Sequence, residues 1–243
     1  MEILHHYNSD HESGSARVVV PLILEIIQPT SVIDVGCGIG QWLQVFNENG
    51  VNSILGLDGP HVLETNLRIS KEYFQSVNLN LSKDIKLDTE FDLVLCLEVA
   101  EHLFDTSAKQ LIEFLTNAGN NIIFSAAVPF QTGENHYNEQ WPDYWQKLFK
   151  EQGYVFIDIF RDKIWNDTRV NWWYRQNLFL VTNDPGLVKQ YSNKIFNGHS
   201  RVHPELLSIY IAENKRLLNL LSVNTERSNS KWNRIRKLID SLK

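Results

Sequence analysis

Cysteine is almost absent from this chain of 243 residues. Cys37 stands in a glycine-rich turn and Cys96 inside an apolar run, which offers no disulfide framework, so a reducing, cytoplasmic compartment is expected. Long apolar runs are missing as well. The longest, residues 18–27, is broken by Pro21 and Glu25 and falls short of the roughly 20 residues that a bilayer-spanning helix needs. The opening MEILHHYNSDHESG has no basic region followed by an apolar core, so no signal peptide is read there. Positive charge is scarce outside one end. The formal net charge is −6, and eight basic against three acidic residues over 210–243 give +5 there and leave −11 for the remainder. An acidic body argues against a broad nucleic-acid footprint, while the basic tail suits a local partner. Internal repeats and low-complexity segments are absent. So are two nucleotide fingerprints: G-x-G-x-x-G needs a glycine where Gln41 stands, and no G-K-[ST] of a P-loop occurs.

What is present centres on residues 30–40, TSVIDVGCGIG. The β-branched run 31–35 suits a buried parallel strand, and Gly36, Gly38 and Gly40 let the backbone approach a ligand where the next helix, 39–49, begins. Further apolar runs predict strands at 53–57, 73–79, 91–97, 121–128, 154–161 and 176–182. Helical spacing predicts helices at 13–28, capped by Ser13 or Ser15 with Pro21 as a kink or first turn, at 107–117, and at 141–152 with Pro142 in its first turn. Asp58 closes the second strand where nucleoside-binding α/β folds place a carboxylate on ribose, although an Asp before Gly59-Pro60 also forms turns.

The D-x-G-x-G-x-G stretch from Asp34 to Gly40 resembles motif I of the class I S-adenosylmethionine (SAM) dependent methyltransferases. FDLVLCL at 91–97, running into Glu98-Val-Ala-Glu101-His102, resembles motif IV of the ubiquinone-biosynthesis O-methyltransferases and their relatives. The resemblance implies a doubly wound, seven-stranded α/β sheet of order 3-2-1-4-5-7-6 with strand seven antiparallel. It covers residues 30–182, with a helical segment at 1–29 and a helical extension at 183–243. It implies SAM as cofactor, with Asp34, Gly36, Cys37, Gly38 and Gly40 at the methionine end and Asp58 on the ribose. Asn80 and Leu81 fall near the adenine, and Leu97 and Glu98 at the end of strand four. Asn80 stands where the family often has an acid, and its carbonyl could still accept from the adenine amino group.

Glu98, Glu101 and His102, spaced i, i+3, i+4, are expected on one helical face beside the sulfonium. The plain interpretation is a solvated helix start. Two functional ones compete with it: His102 or His136 takes a proton from a substrate hydroxyl, or Glu98, Glu101, His102 and His136 bind Mg²⁺, Mn²⁺ or Fe²⁺. Small-RNA 3′-terminal 2′-O-methyltransferases share the E-x-x-E-H string and a later His, which the resemblance carries to His136. For the acceptor, residues 131–140 and 161–175 supply loops, with Arg169, Trp172, Trp173 and Tyr174 as candidates, because adjacent aromatics on a strand cannot all face one way. The strings H-x-N-E-Q-W and W-Y-x-Q-N look like those of bacterial methyltransferases associated with surface-glycan synthesis. The expected activity is SAM-dependent O-methylation of a hydroxyl on a sugar, glycan or related small metabolite. The alternatives are metal-dependent 2′-O-methylation of RNA ends and a non-catalytic SAM-binding partner protein. At the C-terminus, the dense Leu and Ile of 204–223 and the spacing of Trp232, Ile235, Ile239 and Leu242 suit helices covering their own domain, a dimer seam or a membrane surface.

Overall fold

The computed structural model describes residues 10–240, with side chains described over 14–222. The chain divides after Arg201 into two compact units. In the first, α1 (Asp10–Leu24) leads into β1 (Ser31–Val35), α2 (Gln41–Glu48), β2 (Ser53–Asp58), β3 (Phe74–Ser76) and β4 (Leu93–Leu97). There follow α3 (Ala108–Ala118), β5 (Asn121–Ser125), α4 (Pro142–Glu151), β6 (Val155–Ile157), α5 (Arg161–Ile164), α6 (Trp172–Asn177), β7 (Phe179–Thr182) and α7 (Pro185–Gln190). The second unit holds one long helix, α8 (Pro204–Asp240), in which Leu207, Ile211, Leu218 and Leu221 are exposed.

The seven strands form one sheet in the order β3-β2-β1-β4-β5-β7-β6. Every pairing is parallel except those of β7 with β5 and β6, which is the expected order and sense. Alternation along the central strands feeds two separate cores. Val32, Leu93, Leu95 and Ile123 pack with Val19, Ile23 and Phe46 of α1 and α2, whereas Ile33, Val94, Cys96 and Ile122 pack with Leu111, Leu115 and Phe149 of α3 and α4. A strand buried on both faces must be apolar at both parities, which is why these runs read continuously.

Several expected boundaries change. Helix α1 starts at Asp10 and runs through Pro21 to Leu24, and Ser15 is no cap: its buried hydroxyl accepts from the Asn171 amide at 3.0 Å. At the sheet edges β3 and β6 keep three residues each. Residues 126–128 leave the sheet after β5, and Arg161 opens a short helix instead of ending a strand. Among the described residues no helix is long and apolar enough to cross a membrane. The side chains of Trp232, Ile235 and Ile239 and the whole of Leu242 lie outside the described residues, so the expected amphipathic face there is not described.

Candidate active site

The carboxyl ends of β1, β2 and β4 meet at the glycine turn. Gly36, Gly38 and Gly40 all have positive φ (87°, 54° and 83°), a conformation that costs side-chain-bearing residues energy. Space is short too: a Cβ on Gly36 would run into the Val99 side chain, and one on Gly40 would meet Ile69 Cγ1 at 2.8 Å. Asp58 ties the turn to β2 by accepting from the Gly38 and Gly59 amides, each at 2.6 Å, with His61 Nε2 3.3 Å away. Asp34 is buried beside it. Burial, and then the charge of Asp58, push the Asp34 carboxyl up to about 8. Asp58 is also raised by burial, against the pull of the Gly59 and Gly38 amides and His61.

Asn80 has a structural task beside the one expected. It lies in a 3₁₀ turn, Leu79–Asp84, where its side-chain carbonyl accepts from the Phe104 amide at 3.0 Å and its backbone carbonyl accepts from the Ser107 hydroxyl at 3.1 Å. The side-chain oxygen expected to face adenine thus holds the Phe104 amide, while the backbone carbonyl holds Ser107. Leu81 is exposed beside it and Leu97 is buried at the end of β4.

Beyond β4 the chain does not form the expected helix. Glu98 has φ 55°, a strained value for a residue with a side chain, and only a single 3₁₀ turn follows at Ala100–His102. Glu98 consequently parts from Glu101 and His102. Glu98 is half-buried and accepts from Gln131 Nε2 at 2.7 Å and Asn177 Nδ2 at 3.2 Å, which corrects its placement in a metal-binding group. Burial raises its pKa, opposed by those donors and by Ser125. Glu101 points inward with no exposed surface, and neither of its carboxylate oxygens has a hydrogen-bond partner. Burial pushes its pKa well above the usual range, and the neighbouring Glu98 charge adds to this against the pull of the nearby Glu101 and Ala127 amides.

His136 completes the arrangement. One donor atom each from Glu101, His102 and His136 lies within 4.8 Å of the others, and the two imidazoles meet edge to face with centroids 4.6 Å apart. The loop carrying His136 is folded by Glu139, whose carboxylate accepts from the amides of Phe130 (2.7 Å) and Thr132 (2.8 Å) and from His136 Nδ1 (2.8 Å). Phe130, Thr132 and Asn135 all have positive φ in this loop. A Cβ on Gly133 would collide with the His136 ring. The Glu101 carbonyl fastens the loop by accepting from the Tyr137 and Asn138 amides at 2.8 and 3.0 Å. Glu139, Gln131 and Asn177 had no signal in the sequence beyond a polar loop and the Q-N pair.

The aromatic triplet is not on a strand. Trp172, Trp173 and Tyr174 open α6, where Tyr174 is buried edge-on against Trp42 at 5.2 Å and the two tryptophans pack on each other at 5.7 Å. The helix instead brings its last residues, Gln176 and Asn177, to Gln131 and Glu98. Arg169 is exposed and paired with Asp167 at 2.6 Å.

The profile of a family described as "Methyltransferase domain" matches residues 7–178, well over half of the chain. The chain belongs to the SAM-dependent class I methyltransferases. No curated protein is significantly similar to it. Among solved structures it is similar to a Nostoc punctiforme protein named as an O-methyltransferase, at 14% identity over 70% of this chain and 56% of that one, with a TM-score of 0.50. It is also similar to the magnesium protoporphyrin IX methyltransferase of Synechocystis with bound S-adenosylhomocysteine (SAH), at 16% identity over 71% and 83% with a TM-score of 0.50. A third is the methyltransferase domain of bacterial CtHen1-C, at 18% identity over 70% and 97% with a TM-score of 0.51. These likenesses are of fold. The chain spans little more than half the length of the Nostoc protein.

The methyltransferase turn fits the cofactor its family uses. Two adjoining carboxyls with raised pKa values, Asp34 and Asp58, suit a ligand that brings an ammonium and ribose hydroxyls, and the side-chain-free glycines leave room for it. The donor set at Glu101, His102 and His136 is of a kind that suits a divalent cation: a buried carboxylate without a side-chain donor and two imidazoles.

Proposed function

We propose that this methyltransferase transfers a methyl group from SAM to a hydroxyl of a sugar, glycan or related small metabolite. The observation carrying this reading is the convergence of Glu101, His102 and His136 at the carboxyl end of β4, beside the glycine turn on the neighbouring strand β1. SAM, when bound, supplies an electrophilic methyl on a sulfonium. An alcohol attacks it poorly until its proton is removed, so the protein must hold the hydroxyl in line and accept that proton. Glu139 can only accept from His136 Nδ1, which leaves the lone pair on Nε2 for the incoming hydroxyl proton. The imidazolium so formed lies near two carboxyl groups, Glu139 and Glu101. Gln131 and Asn177 hold Glu98 in place at the strand end.

A divalent cation bound by Glu101, His102 and His136 would serve the same end by lowering the pKa of the hydroxyl. Favouring it is the Glu101 carboxylate, fully buried beside the backbone amides of Glu101 and Ala127 but with no side-chain donor on either oxygen, a costly arrangement unless a cation or proton compensates. Between residues 98 and 142 the exposed or part-exposed acids Asp105, Glu113, Glu134 and Glu139 stand against one lysine, Lys109, a poor surface for a phosphodiester chain, so we favour an uncharged acceptor over RNA.

The reading is tested by SAH release with methyl glycosides as acceptors. Turnover should be lost in His136→Ala and in Glu101→Gln, with SAH affinity retained. Full turnover in both variants would remove the cluster from the mechanism.

A further inference from the structure

The mouth of the site carries aromatic surface that stability does not explain. Phe104 is 53% exposed and Tyr137 59% exposed, and their rings lie 5.3 Å apart at a 45° tilt. Each is anchored to the site through its own backbone amide: Phe104 N donates to Asn80 Oδ1 at 3.0 Å, and Tyr137 N to the carbonyl of Glu101 at 2.8 Å. One ring therefore stands two residues beyond His102 and the other next to His136, on segments whose backbones are hydrogen-bonded to the site. Phe130, 73% exposed and at a strained φ of 70°, extends the same loop. Exposed aromatics held by a fixed backbone bind ring faces at little cost in conformational entropy.

We infer that Phe104 and Tyr137 form the acceptor platform of this enzyme, stacking on the apolar C–H face of a pyranose ring whose hydroxyl is presented to His102 and His136. This rests on the hydroxyl-acceptor reading above and narrows it to a ring-shaped, uncharged saccharide. A nucleobase could stack on the same rings, but its phosphates would meet the exposed Asp105 and Glu134 and the part-exposed Glu139, with no arginine between residues 98 and 142. A neutral saccharide meets no such repulsion, and the polar edge of the platform, where Tyr137 Oη donates to Asn135 Oδ1 at 3.3 Å, suits its hydroxyls. The platform is a surface separate from Trp172, Trp173 and Tyr174, which pack among themselves, with Tyr174 also on Trp42 of α2.

Saturation-transfer NMR on the full chain with SAH bound tests this, using methyl β-D-glucopyranoside, methyl α-D-mannopyranoside, open-chain sorbitol and the dinucleotide UpA as probes. The expected result is transfer to ring C–H protons of at least one pyranoside, little to sorbitol, and a loss of about 2- to 10-fold in Phe104→Ala or Tyr137→Ala at unchanged SAH affinity. No transfer to either pyranoside, undiminished transfer in both variants, or stronger transfer to UpA would overturn the proposal. Binding is read here without turnover. A pyranoside that stacks but is never methylated leaves the platform standing and counts against the transfer reading alone.

Discussion

Glu139 Oε1 sits 2.8 Å from His136 Nδ1, while the same carboxylate accepts from two backbone amides of the loop. A group that can only accept fixes the proton on Nδ1, so the loop's folding and the histidine's tautomer are set by one side chain. Glu139→Gln keeps the size but offers one acceptor oxygen where two are used. We expect kcat/KM to fall about 10- to 100-fold, as for other partners that orient an active imidazole, with SAH affinity unchanged in calorimetry.

Gly36→Ala should damage the cofactor turn in two separable ways. The left-handed backbone (φ 87°) costs about 1–2 kcal/mol for alanine, and the new methyl strikes Val99. Adding Val99→Ala should relieve the collision but not the backbone strain, so SAH affinity should return only in part. Complete recovery in the double variant would show that the positive φ is not needed.

Stability of the cofactor-free protein should depend on pH through Asp34. Its carboxyl is held at about 8 in the folded chain against an ordinary 3.8, so the folded state binds its proton more tightly than the unfolded state does. The contribution is fully present below pH 3.8 and is lost as pH rises toward 8. Asp58, Glu98 and Glu101 are raised in the same direction. Asp92, Asp162 and Asp167 are lowered, and their contribution is already complete above the ordinary carboxylate range. The melting temperature should therefore fall between pH 5.5 and pH 8, and Asp34→Asn should flatten that slope. A melting temperature that rises over this interval would contradict the assignment.

Removal of divalent ions tests the donor set. Exhaustive EDTA treatment should lower turnover, Mn²⁺ or Mg²⁺ should restore it, and Glu101→Gln should not respond to either addition. Turnover that survives chelation assigns proton removal to His136 alone.

The central strands were legible because burial on both faces demands apolar residues at both parities, as in Ser31–Val35 and Leu93–Leu97. The edge strands β3 and β6 were overextended because hydrophobicity continues past the point where a neighbour is available to pair. Helix α6 has six residues, too few to show a helical period, so its tryptophans looked like part of a strand connection. The glycine turn and the E-x-x-E-H string could be read because their residues are local. What Glu98 touches could not, since Gln131 is 33 positions away and Asn177 is 79. The left-handed Glu98 separates it from Glu101 and His102 in a way that i, i+3, i+4 spacing on an assumed helix cannot anticipate.

The fate of the methyl group itself decides between oxygen, nitrogen and carbon as acceptor atom. Wild type and His136→Ala are incubated with deuteromethyl SAM and a mixture of methyl glycosides and soluble glycan extract, and the products are resolved by mass spectrometry and NMR. Wild type should place a CD₃ group on a saccharide oxygen and His136→Ala should place none. A CD₃ group found on nitrogen or carbon, or the same oxygen-methylated product from both proteins, would contradict this.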